Sequence, residues 1–209
     1  MDGIEYNEYP PPERLIKVMN SKWAVEFAKR GLLRLRKLEY YQKWETQPLG
    51  DSNEGKGLYH LNGHPMETES SNDVYIWCAS LPTIAPERVF LIAQSGNYDC
   101  VIKICDPEEL FKRVRDYLSI QRKGFWLQCG LVNYDRGAAV DKKELNTQRF
   151  HFNVFQKAPK SKEDMEYRMS IINYTSGCLS EDDLDLLLGD CSHIITIEGL
   201  PKNTMNSSS

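Results

Sequence analysis

Short apolar segments divided by turn-forming residues run the length of this chain, which restricts it to strands of ordinary length with a few short helices between them. Pro10-Pro11-Pro12 is a stiff lead into a first strand at Arg14 to Met19, with Leu15 and Val18 among its apolar residues. Ser21 is suited to cap a helix that carries Trp23, Ala24, Phe27 and Ala28 on one face, and Gly31 supplies its left-handed stop. Leu32 to Leu38 is the second expected strand. Glu39 to Glu45 is aromatic and charged, and Gln47 to Gly57 reads as loop. Leu58 to Leu61 and Val74 to Ser80 are expected strands, separated by an Asn62-Gly63 turn and a polar stretch.

Pro86 opens a helix expected to reach about Gln94, with Gly96 just beyond it, and Cys100 to Cys105 alternates as a strand. Asp106-Pro107-Glu108-Glu109 is a full helix start, with an Asp cap, Pro in the first turn and Glu at the third position. Leu110, Phe111, Val114, Tyr117 and Leu118 then fall on one face. Further strands are expected at Phe125 to Tyr134, His151 to Gln156, Glu166 to Tyr174 and His193 to Glu198, with a short acidic helix at Ser180 to Leu188. Helices threaded between strands, followed mostly by strands, predict an α+β domain on an antiparallel sheet. The expected organisation is an N-terminal arm over residues 1–14, one domain over 15–199 and a flexible polar tail over 200–209.

The 209 residues are 41% apolar and 27% charged, which excludes disordered, collagen-like and coiled-coil classes. No apolar run approaches the roughly 18–20 residues of a membrane span; Val89 to Ala93 reads as core. Met1 to Glu5 is acidic with no basic segment leading an apolar one, so the expected location is the cytoplasm and no membrane partner is expected. The six cysteines lie in apolar segments of a chain too large to need staples and read as reduced thiols. Charge is unevenly placed: residues 14–177 hold 25 Lys/Arg against 20 Asp/Glu, whereas the two ends hold 1 against 10. Such a middle can attract an anion, or its charges can simply solvate helix faces.

Motif spacing removes several chemistries. Neither G-x-G-x-x-G after a strand nor G-x-x-x-x-G-K-[ST] occurs, so the common phosphate cradles are missing. There is no C-x-x-C, and His60 and His64 flank a turn rather than share a helix face, so no metal site is expected. No nucleophile elbow precedes a Ser-His-Asp or Cys-His set. What remains is a group of polar residues near strand ends. Lys17 places a cation inside a first strand, where it can meet an anionic ligand or face solvent. Tyr40-Tyr41 with Trp44-Glu45, and then Asp51-Ser52-Asn53-Glu54-Gly55, suit a flat heterocycle and its ribose hydroxyls, or a lid over the core. Gln156-Lys157 precedes Glu163-Asp164-Met165-Glu166-Tyr167-Arg168. If residues 164–170 form a strand, Asp164, Glu166 and Arg168 share a face, where the guanidinium can hold one carboxylate charged and oriented. The alternative is a solvated strand face with a surface ion pair.

Taken in order, Lys17, the helix Trp23 to Gly31, Leu33-Arg34-Leu35, Tyr40-Tyr41 and Asp51-x-x-Glu54-Gly55 resemble a bacterial domain family of unassigned function that has been related to the ADP-ribosyltransferase fold. Val74 to Ser80 is similar to its central strand ending in Cys-x-Ser, and Phe155-Gln156-Lys157 followed by Asp164-x-Glu166-x-Arg168 resembles its closing signature. The likeness spans roughly residues 15–175. It implies a split antiparallel β-sandwich with short helices whose cleft holds NAD, with Lys17 on the cofactor, Ser80 supporting the site and Glu166 as catalytic group. Asp164 stands where the family has the first Glu of its pair, and Lys17 where ADP-ribosyltransferases usually have Arg or His. Tyr40 and Tyr41 are the candidates for stacking on nicotinamide or adenine, and Asp164 and Arg168 for supporting the cofactor.

The implied activity is ADP-ribosyl transfer or NAD hydrolysis. Glu166 would stabilise an oxocarbenium-like transition state and, where an acceptor is deprotonated, act as its base. The acceptor is open between protein, nucleic acid and water, and the setting between toxin, phage defence and housekeeping. One competing reading is a non-catalytic module of the same fold that binds nucleotide or nucleic acid. Another is a nuclease that uses the carboxylates of residues 163–166 with a divalent metal.

Overall fold

The computed structural model of the chain describes residues 4–6, 10–42, 53–61, 64–69, 73–122, 124–135, 140–141, 152–175 and 182–200. In chain order the elements are β1 (Glu5–Tyr6), β2 (Leu15–Met19), α1 (Ser21–Arg30), β3 (Leu32–Lys37), α2 (Leu38–Gln42), β4 (Lys56–Leu61), β5 (His64–Glu69) and β6 (Val74–Ser80). They continue with α3 (Pro86–Gly96), β7 (Cys100–Ile104), α4 (Pro107–Gln121), β8 (Phe125–Leu131) and β9 (Val140–Asp141). Two 3₁₀ segments, Phe152–Phe155 and Pro159–Asp164, lead into β10 (Glu166–Asn173), β11 (Asp183–Leu187) and β12 (Ile195–Gly199). The class is α+β, on a largely antiparallel sheet with short helices.

Nine strands form the main sheet, with β1-β8-β10-β6-β2-β7-β12 as its path and β3 joining β6 to β11. Only β1 pairs in parallel within it, so the expected N-terminal arm contributes a strand to the sheet edge. A second sheet has the order β5-β4-β9. The strand β10 lies between β8 and β6, and all eight of its residues are buried. Its Tyr167, Met169 and Ile171 enter the main core with α1 and α4, where Phe111 stacks on Tyr167 at 5.7 Å between ring centroids. The opposite face carries Glu166, Arg168, Ser170 and Ile172.

The sheet branches at β6. On one edge of that strand, Ser80 pairs with Ile16 of β2, while Ile76 and Tyr75 pair with Arg36 and Lys37 of β3. Among the described residues, Trp77, Cys78 and Ala79 have no ladder partner on that edge, so β2 and β3 part there. The helix α1 joins the two diverging strands. Its Ala24, Phe27 and Ala28 are buried, and Gly31 ends it at φ 65° with its N–H bonded back to Glu26 and Phe27.

Several expectations change. The side chain of Asn20 caps α1, accepting from Lys22 N at 3.0 Å, because Ser21 is committed to Asp99. Trp23 is 42% exposed and stacks under Arg34 and Lys22 instead of entering the core. The expected strand at His151 to Gln156 is a 3₁₀ segment at Phe152–Phe155, His151 itself lying outside the described residues. The expected acidic helix is β11: Asp183 and Asp185 alternate with buried Leu184 and Leu186, and pairing with β3 lets the two aspartates meet Arg34. The polar stretch before β6 includes a strand, β5. Residues 180 and 181, Asn62-Gly63, and all but the first residue of the expected tail lie outside the described residues.

Candidate functional site

Asp164 does not belong to the strand that carries Glu166 and Arg168. It ends a 3₁₀ segment, Met165 takes the left-handed conformation at φ 47°, and β10 starts at Glu166. The turn nevertheless delivers the Asp164 carboxylate to the same place, and a chain of alternating charges forms there. From α3, Arg88 Nε donates to Asp164 Oδ1 at 2.7 Å. Lys157 Nζ lies 3.5 Å from Asp164 Oδ2 and donates to Glu166 Oε2 at 2.9 Å. Arg168 Nε donates to Glu166 Oε1 at 2.7 Å, and its Nη1 donates to Glu54 Oε1 at 2.6 Å and to the Val154 carbonyl. Three cations and three carboxylates thus alternate, and all but Arg88 are buried. Glu166 is 5% exposed and Arg168 1%.

Hydrogen bonds to backbone groups hold the segments that bring these residues in. Gln42 Nε2 donates to the Glu54 carbonyl at 2.7 Å and Asn153 Nδ2 to the Gly55 carbonyl at 2.6 Å, anchoring the turn at residues 53–55. Lys157 N donates to the Asn133 carbonyl at 2.9 Å, and Glu166 N to the Tyr134 hydroxyl at 2.7 Å. Burial by itself would raise the Glu166 carboxyl, but Arg168, Lys157 and a hydrogen bond from Cys78 outweigh it and hold the group well below the usual carboxylate range. Burial would likewise lower Lys157, yet Glu166, Glu54 and Asp164 hold its ammonium firmly charged. Glu166 is therefore a fixed anion near neutrality, and a poor general base.

Register places Ser80 opposite Glu166 and Cys78 opposite Arg168, each pair on one face of the sheet. Burial and the Glu166 charge push the Cys78 thiol up to about 12, so it serves as a donor and not as a thiolate nucleophile. Lys17 closes the parting between β2 and β3. Its Nζ donates to the Cys78 carbonyl at 2.5 Å and lies 4.9 Å from the Trp77 ring centroid. Burial lowers its pKa, and both Cys78 and Glu166 act in the opposite sense. Ser80 and Glu166 thus share one face at the end of β6, whereas Lys17, next to the Ile16 that pairs with Ser80, leaves β2 on the other face and reaches into the parting at the Cys78 carbonyl.

Tyr40 and Tyr41, on α2, meet edge to face at 5.4 Å. Tyr41 packs beside Leu38, Val74 and Ile76, while Tyr40 lies under Arg36, whose Cζ is 4.1 Å from its ring centroid. Trp44, Glu45, Asp51 and Ser52 lie outside the described residues. Arg88, Tyr134 and Arg36 escaped sequence reasoning, because helix periodicity marks Arg88 only as a polar position and no local pattern announces the other two. Lys157, Glu54 and Cys78 stand inside the quoted motifs, but only the tertiary contacts give them roles.

The carboxylates expected for a metal-dependent nuclease are turned to other partners: Asp164 and Glu166 face Arg88, Lys157 and Arg168, and Glu163 is exposed. No group of three or more metal-liganding side chains forms among the described residues. No helix among them is long and apolar enough to cross a membrane. Comparison with protein-family models, with curated proteins and with solved structures returned no match.

Proposed function

We propose that this chain acts on NAD at the parting between β2 and β3, cleaving the bond between nicotinamide and ribose for ADP-ribosyl transfer or hydrolysis on a split, ADP-ribosyltransferase-like β-sandwich. The observation that supports it is the pairing of Ser80 with Glu166 across β6 and β10, two residues along β6 from the Cys78 carbonyl that the Lys17 ammonium bonds in the parting. In this reading Lys17 binds the nucleotide and Ser80 supports the reacting sugar. The fixed charge of Glu166 stabilises the positive charge that develops at the ribose carbon as nicotinamide departs. Arg168 and Lys157 keep the carboxylate ionised and oriented, so Glu166 works as an electrostatic stabiliser and an acceptor must lose its proton elsewhere. Tyr40 and Tyr41 supply the aromatic surface.

A specific observation favours a second reading, a module that binds nucleotide without turnover: both oxygens of Glu166 are already engaged inside the protein. Incubating the purified chain with NAD and following free nicotinamide by chromatography separates the two. Release that falls on the order of 10²- to 10³-fold in Glu166→Gln, with the circular dichroism spectrum retained, supports catalysis. NAD binding with no release, with and without protein or nucleic-acid acceptors, selects the binding module. Neither binding nor release overturns both.

A further inference from the structure

Two arginines on β3 share the sheet face of Ile76, and they are not equivalent. Arg34 is saturated, its Nε and Nη2 each donating at 2.7 Å to the two oxygens of Asp185, with Asp183 at 3.4 Å from Nη1. Among the described residues Arg36 has one carboxylate partner, Asp183 at 4.0 Å, and it lies on the Tyr40 ring with its side chain 37% exposed. Its place is the bank of the parting opposite β2, because it pairs with Ile76, two residues from the Cys78 carbonyl that Lys17 holds. Two residues of strand span roughly 7 Å. Among the described residues Lys17 has no carboxylate within ion-pair distance and bonds to one carbonyl, so two of its three ammonium protons have no acceptor among them. The charge of Arg36 reaches Lys17 across the gap and opposes its ionisation.

Tyr98, just past the end of α3, lies within reach of the Arg36 charge. Its ring lies against Gly96, where a Cβ would come within 2.0 Å of it. Two cations with spare donors, one on each bank and with aromatic rings beside them, have the composition of a site for a doubly ligated anion.

We infer that Arg36 and Lys17 form a two-cation clamp for the phosphate or pyrophosphate group of a nucleotide, with Arg36 as the forked donor and Lys17 as the point charge. This rests on the reading that the parting holds a nucleotide, but not on any reaction there.

The test is calorimetric titration of the full chain with inorganic pyrophosphate, ADP and a short single-stranded oligonucleotide, for wild type, Arg36→Gln, Arg36→Lys and Arg34→Gln. Pyrophosphate and ADP are expected to bind wild type with an affinity that falls as salt rises. Arg36→Gln is expected to weaken both at least about ten-fold, Arg36→Lys less so, and Arg34→Gln not at all. ADP binding tighter than pyrophosphate identifies a nucleotide site; equal affinity identifies a free-phosphate site with the same clamp. Binding of the oligonucleotide alone, no binding by wild type, or undiminished binding by Arg36→Gln with its melting temperature retained overturns the clamp. Nicotinamide release is read separately. Release with KM unchanged in Arg36→Gln removes the clamp and leaves the NAD reading standing, whereas a clamp without release does the reverse.

Discussion

At the residue scale, Glu166 carries the largest consequences because its charge is shared. Its carboxylate separates two buried cations, Lys157 and Arg168, and removing it leaves both under-compensated in surroundings that solvate charge poorly. Glu166→Gln is expected to lower stability by about 3–5 kcal/mol, measured by urea unfolding. The acid limb follows from linkage. The folded pKa is depressed, so the unfolded chain binds the proton more readily; the stabilisation is complete above the ordinary carboxylate value of 4.5 and is lost as pH falls below it toward the folded value. Urea midpoints measured down from pH 6 should drop steeply below that value for wild type and less so for Glu166→Gln. Equal slopes would show that the carboxylate is not held by its cations.

At the element scale, local chemistry decides some segments and tertiary pairing the others. The α4 helix is fully legible because its start is a self-contained contact: Asp106 Oδ1 accepts from Glu109 N at 2.9 Å, as the Asp-Pro-Glu-Glu run requires. Asp106→Ala should cost about 1 kcal/mol. Gly31→Ala should cost more, since φ is 65° and the added Cβ would lie 2.3 Å from the Gly189 carbonyl oxygen; urea titration of the two variants ranks them. The acidic composition of residues 180–188 suggests a helix, whereas the Asp-Leu-Asp-Leu alternation within it is that of the strand β11. The sequence held the period-2 signal, but not the arginines of β3 that make those aspartates welcome. Asp164 shows the converse case. Its spacing from Glu166 suggested one strand face, whereas a left-handed residue at 165 breaks the strand and a turn still places the carboxylate on Lys157.

At the scale of the whole molecule, β6 and β10 tie the two diverging halves of the sheet together, and the main core draws on residues from Leu15 to Ile195. Such a sheet should unfold as one unit. Far-ultraviolet circular dichroism and tryptophan fluorescence, the latter reporting on buried Trp77, should give coincident urea transitions. An earlier fluorescence transition would mean that the β2-β7-β12 and β3-β11 flanks melt independently. The same architecture makes the parting between β2 and β3 a place where a ligand can touch both flanks. A pyrophosphate held by Lys17 and Arg36 would therefore bridge them.

The sequence alone determined the α+β class, the main helices, the β6 and β10 strands and the residue types of the site, because periodicity, caps and turn chemistry act over a few neighbouring residues. Only the tertiary structure decided how those types are used. It made Glu166 a clamped anion, Cys78 a protonated donor, Lys17 the closure of a break in the sheet and Arg36 a half-free cation. Each of these states depends on desolvation and on partners up to more than a hundred residues away, which no local pattern encodes.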